Sequence, residues 1–328
     1  MNYPLDLLLP ANDGVQFPFP SQLGIVLAIL IQGGGFPPSC GLGPGAAGAR
    51  IASPWGDAAT ALGQVAAGPA TYSSVLLIYL LPHSVLMVPI ITALFPRLSA
   101  AAARGDLAGV RADLSTGLRL AAVVTVFATT VVVVLAGPLL KAVLPTASVE
   151  MIEVAIPVLQ AMAPGLVALG ATILVKRMYF ALGDGRSVFV IQVLATSISV
   201  LVVLVATWVL DFRWWTVAAA AAGSLAAWVS VLARVRGMRR KLGGIAGHRV
   251  LRVYVRTGLA SLVAGAAGLA LMRLVDAPAA LTWVQAVAVT AGIGLVMVGV
   301  YLAGLRLMRV RELESALGPL LRRLRRTR

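Results

Sequence analysis

The sequence is poor in the residues that most often carry metal and redox chemistry. It has one cysteine, Cys40, and two histidines, His83 and His248. One cysteine excludes an internal disulfide framework and a cysteine metal cluster, and two histidines leave little for a zinc site. No metal and no cofactor are therefore expected. Since no Ser/His/Asp or paired-carboxylate set with interpretable spacing is present either, the sequence favours a protein that is not an enzyme.

Charge is scarce, and what there is has mostly one sign. Charged residues are 12% of the 328, hydrophobic residues are 59%, and the mean hydropathy is +0.94. Soluble domains have about 25% charged residues, so a water-soluble globular protein is disfavoured. The 27 bases exceed the 12 acids and give a net charge of +15.

Seven apolar stretches are long enough to cross a bilayer, which takes about 20 helical residues. Backbone groups in hydrocarbon must be paired within the segment, so each stretch is predicted to be a helix. The fold class is therefore an all-α, polytopic membrane helix bundle, with 71–305 as the membrane domain. The predicted spans are Thr71–Phe95, Leu118–Leu140, Val154–Val175, Val188–Leu210, Trp214–Leu232, Thr257–Val275 and Trp283–Leu305.

The bases alternate between the gaps that separate these spans. The gaps 96–117, 176–187 and 233–256 and the tail 306–328 contain 22 of the 27, whereas 141–153, 211–213 and 276–282 contain two. Lys and Arg in short loops stay on the cytoplasmic side, so the C-terminus is predicted to be cytoplasmic in a multi-pass plasma-membrane protein. The basic tail 306–328 is expected to contact membrane lipid. Nucleic acid is not an expected partner, because this tail directly follows a span.

The N-terminal segment 1–70 does not fit this pattern. Its apolar run 23–31 is too short to cross a bilayer and is followed by glycines and prolines. Residues 33–70 are rich in Gly, Ala and Pro and are predicted to be poorly ordered.

The first span carries two prolines, Pro82 and Pro89, with His83 between them. Proline kinks a helix, and a polar group in a span usually faces a cavity or a neighbouring helix. One interpretation is a bent helix that lines a cavity for a polar ligand; the other is a packing kink. The cavity candidates are Tyr72, Ser73, Ser74, Tyr79 and His83.

Bases near this span and the third one could contact a lipid headgroup or a substrate phosphate. They are Arg97, Arg104, Arg111, Lys176, Arg177 and Arg186. A surface helix is predicted after Asp106, which is a candidate N-cap, and Gly183–Gly185 is predicted to be a turn. The alternative is that these charges only label the cytoplasmic side.

The last two spans are rich in small residues. Close helix packing explains such residues well, and a groove for a lipid tail is the competing interpretation. The groove candidates are Gly265, Gly268, Gly292 and Gly299. All 12 acids fall outside the predicted spans, which disfavours a self-contained proton or sodium pump.

Five short motifs occur in a characteristic order: Leu80–Val85, Thr92–Ser99, Arg104–Asp106, Gly117–Leu120 and Tyr179–Arg186. With this topology they resemble the lipid II flippase family MurJ/MviN, in the polysaccharide and drug exporter superfamily. The resemblance covers roughly 71–305 and corresponds to helices 8–14 of the family's fourteen. It implies a C-terminal half only, so a truncation, a misassigned start or a frameshift is expected, and transport by this polypeptide alone is not.

The resemblance also implies a function. The family translocates the undecaprenyl-linked peptidoglycan precursor across the plasma membrane, in cell-wall biogenesis and the maintenance of cell shape. Cell-wall synthesis proteins are candidate partners. The alternatives are a degenerate, non-transporting scaffold of cell-wall synthesis and an exporter of another lipid-linked polysaccharide.

One departure from the family pattern concerns the substrate. Many members have an Asp-Arg pair six and five residues before the proline that corresponds to Pro82, and the Arg is thought to hold the diphosphate. This sequence has Leu76 and Leu77 there. The guanidinium contact to phosphate that the family pattern implies is therefore missing.

Overall fold

The structure, a computed structural model, describes residues 69–244, 247–275 and 280–308. The predictions for the apolar run 23–31, the rest of 1–68 and the tail beyond 308 lie outside the described residues. Within them the chain is helical, and seven helical segments are long and apolar enough to cross a membrane. The predicted all-α bundle of seven spans is confirmed.

The helices follow the chain in order, with one break inside the first span. That span consists of α1 (Pro69–Pro82), a π-helical turn (His83–Met87) and α2 (Val88–Ala103). The others are α3 (Leu107–Val134), short α4 (Ala136–Val143), α5 (Val149–Ala181), α6 (Gly185–Val209), a 3₁₀ turn (Phe212–Trp214), α7 (Trp215–Lys241), α8 (Gly247–Met272) and α9 (Trp283–Leu307).

Side chains fix where several helices begin. The Asp106 carboxylate accepts from the Gly109 N–H at 2.8 Å, which caps α3 as predicted. Asp184 caps α6 in the same way through the Ser187 N–H, after the predicted turn in which Gly183 has a φ of +71°. At α9, Thr282 and Gln285 form a capping box.

Several predicted boundaries are wrong; the sixth span, for example, begins at Gly247 and not at Thr257. The surface helix after Asp106 is not separate, because α3 continues from Leu107 into the second span without a break. The fifth span does not end at Leu232, because α7 runs on to Lys241. The longer helices also contain acids that were placed outside the spans, Asp113, Glu150 and Glu153, all close to a helix N-terminus.

Helix α5 is the centre of the bundle and packs against α1, α2, α3, α4 and α7. Helix α6 packs mainly on α7, and α8 packs on α3 and α9. Around Pro164, carbonyls of α5 accept from side chains of α7: the Ser224 hydroxyl donates to Ala161 O at 2.7 Å and the Trp228 indole to Pro164 O at 3.1 Å. These hydrogen bonds join α5 to α7 through backbone carbonyls of α5.

Candidate functional site

The break in the first span is a widened turn at His83–Met87. Its hydrogen bond joins the Val88 N–H to the His83 carbonyl, five residues back. Pro82 and Pro89 carry no N–H, and a proline ring crowds the carbonyl four residues earlier, so a regular α-helical ladder cannot run through both. The prolines therefore account for a π turn at the middle of the span.

The inward face of this span is formed by Tyr79, His83 and Met87, which are buried at successive turns. Gly165 on α5 makes room for Tyr79, because a methyl group at position 165 would lie 3.1 Å from the Tyr79 hydroxyl. A methyl group at Gly170 would be in ordinary contact with Met87 Cε, at 3.6 Å, but only 2.7 Å from Thr125 Cγ2 on α3. His83 is 7% exposed, and its Nε2 has no hydrogen-bond partner within the described ranges. A buried ring nitrogen without a hydrogen-bond partner among the described residues thus lies on the inward face of the first span.

The outward face of the same span is exposed and mixed in character. It includes Ser73, Leu77, Ser84 and Thr92. The Ser84 and Thr92 hydroxyls donate to carbonyls one turn earlier, Leu80 O and Val88 O, at 2.9 and 2.8 Å. Leu77 is 70% exposed.

The five cavity candidates are therefore divided between two faces. Tyr79 and His83 point inward, Ser73 lies on the exposed face, and Tyr72 and Ser74 are half-buried. The Tyr72 hydroxyl approaches α7, 4.0 Å from where a methyl group at Gly223 would lie. The structure does not bring all five to one surface.

The six predicted phosphate contacts lie at one end of the bundle, but in different environments. Arg97, Arg104 and Arg186 are exposed, and Lys176 is half-buried. Arg111 donates to the Leu242 carbonyl, which ties the start of α3 to the end of α7. The Arg177 guanidinium lies over the Phe95 ring, 5.4 Å from its centroid.

Asp184 carries a second structural role at this end. Its carboxylate pairs with Lys241 at 2.5 Å, so the turn before α6 is joined to the end of α7. The hydrogen bonds from Lys241 and Ser187 hold the pKa of Asp184 at about 2, below its ordinary value. The Lys241 ammonium also lies 5.9 Å from the centroid of the Tyr179 ring.

Sequence reasoning missed Arg234, because it assigned that residue to a loop. The structure places it inside α7 with an exposed fraction of 0%. Its guanidinium donates to the Ser230 hydroxyl and, at 3.0 Å, to the Gln192 side chain on α6. The Tyr179 hydroxyl donates to the Arg234 carbonyl at 3.1 Å. The signal that could have found it is the small residue Gly237 one turn later, whose missing side chain leaves room for the Tyr179 hydroxyl.

The four glycines proposed for a lipid-tail groove also divide into two pairs. A methyl group at Gly265 would lie 2.8 Å from Thr130 Cγ2, and one at Gly268 would lie 2.6 Å from Met297 Sδ, so both serve close packing. Gly292 and Gly299 have open space around them on α9. Only this second pair leaves a surface that a lipid tail could occupy.

No metal centre is formed by the described helices and turns, where no group of three or more His, Cys, Asp or Glu could hold an ion.

Comparison with known proteins gives the family. A family model described as "Lipid II flippase MurJ" matches residues 59–287. The chain belongs to the lipid II flippase MurJ family. It is a multi-pass membrane protein of a family of flippases, and the predicted resemblance is confirmed. No curated protein matches significantly.

A solved structure supports the MurJ fold. The match is to "Lipid II flippase MurJ, inward closed conformation", with a TM-score of 0.55 and 16% sequence identity. The alignment covers 77% of this chain and 48% of that one. The chain thus spans about half the length of the MurJ structure it matches.

Proposed function

We propose that this chain takes part in moving a lipid-linked peptidoglycan precursor across the plasma membrane by alternating access. The observation that carries the proposal is the proline-broken first span, with a buried histidine on one face and an open mixed face on the other, in a member of the MurJ family. Broken helices line substrate paths in transporters because they can bend and expose backbone groups to a cavity.

The proposed site has a polar part and a lipid part. Ser73, Tyr72 and Ser74 are the proposed cavity residues, and Tyr79 and His83 hold the π turn against α5. Phosphate is proposed to bind at four bases: Arg97, Arg104, Lys176 and Arg186. Arg111 already donates to the Leu242 carbonyl, and Arg177 already lies over the Phe95 ring. The proposed tail surface is the open face of α9 at Gly292 and Gly299. The C-terminus is proposed to be cytoplasmic, and the undecaprenyl-linked precursor and cell-wall synthesis proteins are proposed partners.

A second candidate is a non-transporting scaffold of cell-wall synthesis. Leu77 favours it, because this exposed position on the first span carries no charge that could hold a diphosphate. A flippase of this kind would have to bind phosphate through the bases at the end of the bundle instead.

The test is a vesicle assay with the purified chain and fluorescently labelled lipid II. Its movement is read from protection against a reductant outside the vesicles, for the wild type, Leu77→Arg and the size-matched Leu77→Gln. A guanidinium at 77 should bind the diphosphate about tenfold more tightly than the glutamine does, because charge-assisted hydrogen bonds are the stronger ones. Movement by the wild type supports the flippase directly and contradicts the expectation that this polypeptide alone does not transport. Without movement, the amount of labelled lipid II bound to each protein decides: binding by the wild type that Leu77→Arg strengthens over Leu77→Gln supports the flippase, and absence of binding in all three proteins contradicts it and favours the scaffold.

A further inference from the structure

The junction between α7 and α8 concentrates positive charge, and Asp184, the acid that reaches the end of α7, is paired with Lys241. The sequence has no Asp or Glu between Asp211 and Asp276, and the first turn of α8 contains no acidic residue. This surface lies at the end of two membrane-spanning helices.

Two arginines and a histidine lie at this junction. Arg239, near the end of α7, lies against the first residue of α8, since a methyl group at Gly247 would be 2.8 Å from the Arg239 Nη2. One residue further on, the His248 ring contacts Arg252, whose Nη2 lies 3.2 Å from Nε2 and 3.4 Å from Nδ1. All three side chains are exposed.

Such a grouping is unfavourable by itself. Like charges repel, and bases at a helix N-terminus add to the positive end of the helix dipole instead of compensating it. An anion placed among these groups would remove both costs. Guanidinium groups and a helix N-terminus together suit a phosphate.

The same face of α8 continues as an exposed apolar stripe. At about 100° per residue, Val255, Leu259 and Leu262 follow His248 and Arg252 along one side of the helix. Their exposed fractions are 52%, 49% and 69%. The opposite side, which includes Ala260 and Ala264, is buried against the bundle. A cationic group at the end of a lipid-facing apolar stripe matches a phospholipid, whose phosphate and acyl chain have the same arrangement.

We propose that the outer face of α8 binds an anionic phospholipid of the bilayer. Its phosphate contacts Arg239, His248 and Arg252, and an acyl chain lies along Val255, Leu259 and Leu262. The apolar stripe selects a lipid over a soluble phosphate, and the charge selects an anionic lipid over a zwitterionic one. This inference does not depend on the flippase proposal, because it concerns a resident lipid and needs no transport.

The test is native mass spectrometry of the purified full chain with added phosphatidylglycerol or phosphatidylcholine. Phosphatidylglycerol should bind more tightly, and Arg239→Gln with Arg252→Gln should weaken it by about tenfold or more. The charge-matched control is Arg213→Gln with Arg273→Gln, two exposed arginines away from this surface. The control should keep the wild-type affinity. Arg239→Lys with Arg252→Lys, which retains the charge, should keep most of it.

Two further arms separate the possible sources of phosphate. Val255→Ser with Leu259→Ser should weaken phosphatidylglycerol binding and leave competition by glycerol phosphate unchanged. Farnesyl diphosphate should displace the lipid poorly. The proposal is overturned if the two phospholipids bind equally, if the glutamine pair and the control pair behave alike, or if farnesyl diphosphate is preferred.

Discussion

At Arg234 a guanidinium lies between helices with neutral side-chain partners, Ser230 and Gln192, and its Nε has none within the described part of the chain. Removing a charge from water costs several kcal/mol, which two neutral hydrogen bonds only partly offset. An arginine in a span is a functional candidate for this reason. Position 234 is therefore expected to tolerate an apolar side chain of similar size better than a small one.

We expect the free energy of unfolding of Arg234→Met to lie within about 1 kcal/mol of the wild-type value or above it, because the buried charge is lost while the volume is kept. Arg234→Ala should lose about 3 kcal/mol, since it leaves a cavity that the methionine side chain fills. Thermal unfolding in detergent measures both. The exposed Arg213→Ala should change little. Equal losses for the methionine and alanine variants would contradict this account.

Gly237 is required where the Tyr179 hydroxyl reaches the Arg234 carbonyl. An added methyl group would overlap that hydroxyl, so Gly237→Ala should cost about 1–3 kcal/mol. Gly258→Ala is the control, because nothing lies within 4 Å of its methyl position and alanine favours the helix. The free energies of unfolding of Gly237→Ala and Gly258→Ala are compared. If Gly237→Ala is as stable as the wild type, the Tyr179 side chain moves away from position 237 without cost, which contradicts this account.

At the scale of the element, the turn between α5 and α6 depends on one carboxylate. The pKa of Asp184 is about 2, lowered by Lys241 and Ser187 from an ordinary 3.8. Because the folded pKa is the lower one, this stabilisation is fully present above about pH 4 and is lost as the pH falls towards 2.

Between pH 5 and pH 2, the melting temperature of the wild type should therefore fall more steeply than that of Asp184→Asn. The asparagine keeps a cap for α6 but cannot form the ion pair with Lys241. Melting curves at half-unit pH steps give the difference between the two proteins. Parallel curves across this range would contradict the role of Asp184.

The π turn of the first span offers a second prediction at this scale. Pro89→Ala restores a backbone donor, so part of the turn should return to α-helix and the span should straighten. Spin labels at the exposed positions Ser73 and Ala100 should then show a change in mean distance larger than the rise of one residue, about 1.5 Å. An unchanged distance would mean that Pro82 alone, or packing on α5, holds the break.

Some of these elements could be predicted from the sequence and others could not. Asp106 and Asp184 signal helix starts locally, and the apolar spans follow from hydropathy alone. The inward packing of Tyr79 and the burial of Arg234 depend on groups supplied by other helices, at Gly165 and Gln192. Gly265 and Gly268, which are packed, cannot be told from Gly292 and Gly299, which are open, by their neighbours in the sequence. Only the packing of α8 on α3 and α9 distinguishes the two pairs.

At the scale of the whole molecule, the alternation of bases predicts which ends of the helices share a side of the membrane. Reporter fusions after Arg104, Gly185 and Gly244 should report the cytoplasm, and fusions after Ala147 and Pro278 the outside. Enzymatic reporters active on only one side of the membrane make this measurement. One reversed pair would overturn the orientation.

The central position of α5 has a consequence for how the protein is made. Its main partner, α7, ends about 60 residues later, an interval of roughly 3–12 s at about 5–20 residues per second of synthesis. Throughout that interval the face of α5 that later meets Ser224 and Trp228 has no α7 beside it. The nascent bundle therefore passes through a stage in which its core helix is shielded by lipid or by the insertion machinery, and the synthesis of α7 closes that stage.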